Sequence, residues 1–375
     1  MESTTTAIAS GDKAKARDII AAIRTLNRVE QERRRASDDE RKMLSRFAGF
    51  GTVALSLFPD PATGRYKDHG WQVLGDELKS LLSDEEYASA KRTTFNAFYT
   101  SPVVMHAMHD GLARLSIPPG ATVLEPGCGI GNFMSQAPKG TRFIGVELDG
   151  ISGRIARARH PDADIRIENF RDTKLPENRI DAVIGNVPFA DVKLDYAGRK
   201  LALHDFFFAK SLDALKPGGI MALVTSHFTL DKQNAELREH LAEKADFLGA
   251  VRLPSDAFRN EGTKVVTDIV FLKKRLPGDE PHHADSEWLS TRPLPSRTPK
   301  SPSTSIFFLT PKWCSAPGAA RTDFTATATA WIPMATSLRS FVSQSLDCRR
   351  TSLLSPQRWP SPPRHRHRPL SLPRR

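Results

Sequence analysis

The stretch Thr122-Val-Leu-Glu-Pro-Gly-Cys-Gly-Ile-Gly-Asn-Phe133 decides how this chain is read. "TVLEP" is a short apolar run of the kind that fills a buried parallel strand. Gly127, Gly129 and Gly131 follow at once, so the chain turns tightly where a strand gives way to the next element. Glycine there lets the backbone approach a ligand closely, although a purely structural strand-to-helix turn uses the same residues. The spacing is G-x-G-x-G and not the dinucleotide pattern G-x-G-x-x-G.

Outward from this point the texture alternates. "RFIGVEL", "ADIRI", "DAVIG", "IMALVTS", "FLGAVRL" and "VTDIVFLKK" are short, apolar and rich in β-branched residues. Helical stretches such as "ISGRIARARH" and "FFFAKSLDALKPGG" separate most of them. Alternation of this kind predicts an α/β, doubly wound sheet. Before it, Ile19, Ile23, Leu26 and Val29 recur at helical spacing, and "QERRR" closes that segment as a solvated helix end. Ser37-Asp-Asp-Glu40 and Ser83-Asp-Glu-Glu86 have the form of capping boxes. "FAGFGTVALSLFPDPATG" between them reads as a connector. The organisation expected is a helical lobe over 1–92, the sheet domain over 93–276, and a linker with a Pro/Arg/Ser-rich tail over 277–375.

Composition supports treating the tail separately. Residues 288–375 carry 14 Lys+Arg against 2 Asp+Glu, whereas residues 1–287 carry 40 against 41. The basic excess of the whole chain is therefore no evidence that its folded part binds nucleic acid. After residue 276 come 15 of the 27 prolines and only 2 of the 23 glycines. Such a segment is either a disordered linker or the product of a shifted frame of GC-rich DNA, and disorder is expected either way. Cys128, Cys314 and Cys348 make neither a disulfide framework nor a zinc site. No hydrophobic run approaches a membrane span, and the first residues do not read as a signal peptide. A cytoplasmic location with no membrane partner is the expectation, and no metal is expected.

The candidate site follows from strand ends. The second strand ends in Gly145-Val-Glu-Leu-Asp149, which puts Glu147 about 20 positions beyond the glycine turn, where an acid can bind ribose hydroxyls. Glu125 is placed for an ammonium group, or else as a partner of the helix dipole. A nucleotide with an ammonium group and no phosphate motif suggests S-adenosylmethionine. "DAVIG" stops at Asn186-Val-Pro-Phe189. Pro188 ends the strand and pushes Val187 toward extended geometry, so this rigid corner is a loop staple or a site. The exocyclic amine of adenine is a poor nucleophile because its lone pair is delocalised. An Asn oxygen and a backbone carbonyl accepting from that amine would aim the lone pair at a methyl donor. Phe189 would stack on a flipped adenine.

Here the sequence resembles a known family. Asn186-Val-Pro-Phe189 is similar to the Asn/Asp-Pro-Pro-aromatic motif of amino-group methyltransferases, and "FNAFYTSP" (95–102) to a cofactor-covering segment of gamma-order adenine-specific DNA methyltransferases. "LEPGCGIGNF", "IGNVPF", "HDFFFAKSLDALKPGG", "TSHFTLDK", "LGAVRLP" and "VTDIVFLKKR" resemble the methylase portion of large plasmid- and phage-borne methylase–helicase proteins, over roughly residues 15–290. The resemblance implies a seven-stranded methyltransferase-type sheet, S-adenosylmethionine as cofactor and DNA with a flipped adenine as substrate. It also implies that a helicase portion belongs to a longer polypeptide. By position it implies a cofactor site of Tyr99, Thr100, Glu125, Gly127, Gly129, Glu147, Asn169 and Phe170. It implies a catalytic corner of Asn186, Val187, Pro188 and Phe189. Val187 replaces the usual proline, and Asn169 the usual acidic or glycine residue. Protein glutamine methylation and an inactive DNA-binding or anti-restriction module are the competing functions. His106 with His109, His204 with Asp205, and "FFFAK" (206–210) are read as packing and helix-start residues.

Overall fold

The computed structural model describes residues 11–92, 100–253 and 266–291. Tyr99, most of the 95–102 segment and the tail from 292 on lie outside the described residues.

Five helices come first: α1 (Asp12–Gln31), α2 (Asp38–Leu44), α3 (Ala54–Leu57), α4 (His69–Leu81) and α5 (Asp84–Arg92). Ile19, Ile23, Leu26 and Val29 form the buried stripe of α1. Both capping boxes close in both directions. Glu40 N donates to Ser37 Oγ (3.3 Å) while Ser37 N donates to the Glu40 carboxylate (2.9 Å). Ser83 and Glu86 repeat the exchange at 3.2 and 2.9 Å. α3 lies inside the stretch read as a connector. Two residues of the "RRR" run meet acids at the surface: Arg34 pairs with Glu32 and Glu40, and Arg35 with Asp162. The lobe shares its core with the rest of the chain, because Ile130, Ile151 and Ile155 pack among its apolar residues. Arg154 fastens the same junction by donating to Glu30 (2.7 Å) and Glu86.

After α6 (Pro102–Arg114), capped by the Ser101 side chain with Pro102 in its first turn, the sheet begins. Its strands are β1 (Thr122–Pro126), β2 (Arg142–Glu147), β3 (Asp164–Ile167), β4 (Ile180–Asn186), β7 (Leu215–Ser226), β8 (Ala245–Arg252) and β9 (Thr267–Lys274). A separate hairpin of β5 (Lys193–Tyr196) and β6 (Arg199–Ala202) follows β4. The helices between strands are α7 (Gly150–Arg159), α8 (Leu203–Ala214), α9 (Phe228–Asp231) and α10 (Glu236–Lys244). Spatial order is β3-β2-β1-β4-β7-β9-β8, with β9 antiparallel to both its neighbours. This is the doubly wound, seven-stranded methyltransferase-type sheet expected from the sequence. The chain winds outward from β1 to β3 and then crosses back to β4, so the winding reverses between β1 and β4. In an open α/β sheet the crevice beyond that reversal is where ligands bind. β1 ends in the glycine turn and β4 ends at Asn186.

Residues 277–291 do not leave the fold as a linker but return to β8. Phe247 N donates to His283 Nδ1 (3.1 Å), and Ala284 N donates to Phe247 O (2.7 Å). Trp288 is 3% exposed and stacks on Phe247 with ring centroids 4.8 Å apart and planes 6° from parallel. Pro277-Gly278 is thus a turn and not a terminus of the fold. Trp288→Ala should destabilise the chain by about 3 kcal/mol, the scale of emptying a buried indole site. Urea unfolding checks this, and an unchanged midpoint would return Trp288 to the tail. Among the described residues no helix is long and apolar enough to cross a membrane.

Candidate functional site

Gly127, Gly129 and Gly131 have φ of 70°, 54° and 75°, a region that strains any L side chain. Their surroundings differ. A Cβ on Gly131 would lie 2.6 Å from the His160 ring, so that glycine serves packing. A Cβ on Gly129 would meet nothing within 4 Å, because Gly129 opens into the cavity described below. The turn is held from both ends. Gly127 N and Cys128 N donate to Val146 O at 2.8 and 3.0 Å. Arg159 donates to Ile130 O (2.5 Å), Asn132 Oδ1 (2.9 Å) and Ser135 Oγ (2.9 Å).

Glu147 ties the turn to the second strand. Its Oε2 accepts from Gly129 N and its Oε1 from Asp149 N, both at 2.8 Å. Leu148 N is a further, weaker donor to this carboxylate, which with about four lone-pair sites still has room for another. Burial pushes its pKa up, against the pull of those backbone donors. Glu125, 2% exposed on β1, has no such support: its Oε2 lacks a hydrogen-bond partner among the described residues. Burial drives its carboxyl well above the usual range, opposed by the Arg159 charge and reinforced by Glu147. Thr100, 7% exposed, likewise carries an unpartnered buried hydroxyl. Buried polar atoms are rarely left unpaired, and those that are need a reason. The Cys128 thiol is pushed up by burial and by these two carboxylates, which keeps it an unreactive thiol.

One cavity of about 670 Å³ lies over the reversal and collects these groups. Thr100, Glu125, Gly127, Gly129 and Glu147 line it together with Asn169, Phe170, Asn186, Val187 and Pro188. Phe170 is buried and stacks on Phe207 at 4.7 Å and 29°, while Lys210 Nζ sits 5.1 Å from its ring centroid and donates to Arg171 O (2.7 Å). Asn169 is exposed, and its Oδ1 accepts from Arg171 N (3.0 Å), a turn contact that a carboxylate would also make. Phe189 does not line the cavity. It is half-buried against the main core cluster. Residues that sequence reasoning missed complete the wall: Phe47, Gly49 and Phe50 from the helical lobe, Leu148 after β2, and Val192 and Leu194 from the hairpin side.

The corner itself is built on the sheet. Asn186 is the last residue of β4 and pairs with Val224 of β7. Val187 N then donates to Val224 O (3.1 Å), extending the ladder one residue past Asn186. A proline at 187 could not make this bond. Val187, 1% exposed, therefore fixes by hydrogen bonding and packing what a proline ring would fix covalently. Val187→Pro should destabilise the chain by about 1–3 kcal/mol, because the ring removes a hydrogen-bonded N–H and leaves the buried Val224 O without its donor. An unchanged thermal melt would show that the ladder bond is not what holds this corner.

Of the other residues weighed from the sequence, His106, His109, His204 and Asp205 do not line the cavity. His109 is buried with its Nε2 2.8 Å from Phe133 O. His204 lies 3.2 Å from Asp205, which also binds Lys232 (3.1 Å). Phe206, Phe207 and Phe208 are buried, and of these Phe207 also reaches the cavity. Among the described residues no cluster of His, Cys, Asp and Glu is arranged to hold a metal ion.

No protein-family model matches the chain. Over 211 residues it is 30% identical to Defense against restriction protein B of Escherichia phage P1, covering 54% of this chain and 9% of that protein. Over 240 residues it is 23% identical to Modification methylase CviBIII of Paramecium bursaria Chlorella virus NC1A, covering 57% of this chain and 61% of that protein. Among solved structures, the methyltransferase subunit of a type I restriction-modification system from Streptococcus thermophilus aligns with a TM-score of 0.42 at 19% identity, over 73% of this chain and 68% of that one. The chain thus spans less than two thirds of the length of either curated relative.

Proposed function

We propose that this chain is the S-adenosylmethionine-dependent methyltransferase part of a longer methylase–helicase protein and that it methylates the N6 amine of adenine in DNA. One observation carries the reading: the glycine turn of β1 and the Asn186 corner of β4 open into the same cavity at the reversal of the sheet. The residues fit the cofactor. The unpartnered Glu125 Oε2 and Thr100 hydroxyl suit the charged methionine end, and the free lone pairs of Glu147 suit ribose hydroxyls. Open space over Gly129 admits the ligand backbone, with Phe170 on the adenine side. When bound, the cofactor supplies an electrophilic methyl group.

The chain's part is to position the acceptor. Asn186 Oδ1 and the Val187 carbonyl accept the two N–H bonds of the target amine, which favours a pyramidal nitrogen with its lone pair directed into the cavity. The ladder bond from Val187 N to Val224 O keeps that carbonyl in place during the reaction. Preorganised acceptors of this kind need no rearrangement at the moment of transfer. The pairing of curated relatives named for restriction defence and for modification is in keeping with a DNA substrate.

The test is transfer of a radiolabelled methyl group from S-adenosylmethionine to duplex DNA, with the product nucleosides identified by mass spectrometry. Label in N6-methyladenine supports the reading. Label in protein glutamine would replace it with amide methylation. Cofactor binding without transfer to either would leave an inactive DNA-binding or anti-restriction module.

A further inference from the structure

We infer that Phe228 is a base-stacking contact for the DNA substrate, set beside the acceptor corner on the side away from the cofactor; this rests on the DNA reading above. The argument begins with the order of strand ends. β1, β4 and β7 are consecutive neighbours in the sheet. β1 ends in the glycine turn, β4 in Asn186, and β7 runs two residues past Val224, the partner of Asn186, before turning at His227. Strands are about 4.8 Å apart, so the residues after β7 stand one strand beyond the corner. A base entering the corner with the cofactor on its β1 side has its neighbours on the β7 side.

Phe228 is what the chain presents there. It is 52% exposed, an unusual position for a large aromatic side chain, and its ring lies 4.1 Å from that of His227 at 34°. His227 is fixed in turn, since its backbone N and its Nδ1 both lie 3.1 Å from Val266 O. Nδ1 must carry the proton to donate to that carbonyl, which leaves Nε2 as the acceptor in the neutral ring.

Beneath the ring, the four residues of α9 are held by far more than a short helix needs. Thr229 and Leu230 are buried, and Thr229 Oγ1 lies 2.8 Å from Thr225 Oγ1. Asp231 binds Arg252 (2.8 Å), which also binds Asp268 of β9 (2.8 Å). Arg238, 1% exposed, donates to Thr229 O (3.3 Å) and Lys232 O (2.8 Å). Breaking a buried charge pair is costly because it leaves one charge without its partner, so these contacts hold α9 firmly. The exposed aromatic ring of Phe228 thus rides on an element anchored by several hydrogen bonds and ion pairs. Stacking is tolerant of sequence because every base has a π face, so this contact serves affinity and placement and not target choice.

The experiment uses the full chain with Phe228→Ala and Phe228→Trp, each first shown to bind S-adenosylmethionine and to melt as the wild type does. Anisotropy of a fluorescein-labelled, adenine-containing oligonucleotide reads DNA affinity, and methyl transfer is measured in parallel. Phe228→Ala should weaken binding by about tenfold or more, the scale of losing one base–aromatic stack, and Phe228→Trp should restore it. The loss should persist at raised salt, unlike a loss of phosphate contacts. Equal affinity of wild type and Phe228→Ala, with methylation of DNA intact, would overturn this inference and leave the proposed function standing. A wild type that neither binds nor methylates DNA would overturn both.

Discussion

Asn186→Ala is expected to lower the single-turnover rate of methyl transfer by about 10²–10³-fold, the scale of removing one preorganised polar group from a reacting centre. Affinity for S-adenosylmethionine should stay nearly unchanged, because the groups assigned to the cofactor sit before α6 and at or just beyond the ends of β1, β2 and β3, whereas Asn186 ends β4. Asn186→Asp keeps an acceptor oxygen and should retain more activity than the alanine variant. Stability should change little, since the β4–β7 ladder pairs Asn186 with Val224 and continues through Val187 by backbone groups alone. Rapid-quench transfer with enzyme in excess, beside calorimetric titration of the cofactor, separates the two quantities. Wild-type transfer in the alanine variant would mean that the corner is only a loop staple.

The sheet was legible because its inner strands β1, β2, β4, β7 and β9 are largely buried and so read as continuous apolar runs, while the edge strands β3 and β8 are only partly buried. All seven segments quoted from the sequence are strands of the sheet. The capping boxes at Ser37 and Ser83 were legible because their signal is wholly local. What escaped depends on distant contacts or on weak local signals. The β5–β6 hairpin has strands of four residues and turns through Ala197-Gly198, both at positive φ, so the usual Asn-Gly signal is missing. Trp288 sits in a proline-rich neighbourhood, and only its stack on Phe247, 41 positions earlier, brings it into the core. Phe47 and Phe50 enter the cavity wall from a lobe that precedes the glycine turn by some 80 residues. Motif position put Phe189 in the site, but a ring after a proline corner can turn either way, and here it turns to the core. Glu147 was placed by spacing, whereas its bridge between the Gly129 and Asp149 amides is a matter of geometry that spacing cannot encode.

Glu125→Gln is expected to weaken the cofactor site and strengthen the empty chain, and the two effects share one cause. The carboxyl is 2% exposed, with Oε2 unpartnered among the described residues, and burial raises its pKa well above the ordinary 4.5. A raised carboxyl makes the folded state bind a proton that the unfolded state has released. Its contribution is therefore harmless below the ordinary pKa, where both states are protonated, and becomes a growing penalty as pH rises from there toward the folded value. Glutamine keeps the shape without the ionisation, so the variant should melt higher than wild type at about pH 8 and alike at about pH 4. An arriving ammonium group reverses the balance, since an opposite charge favours the ionised carboxylate. Binding to the wild type should accordingly release a proton, seen as a buffer-dependent enthalpy, and binding to the variant should not. Affinity should fall by about 2–5 kcal/mol, the scale of truncating one partner of a buried charge pair. Parallel melting temperatures of the two chains across the pH range, with no proton released on binding, would show that Glu125 is already ionised in the empty site.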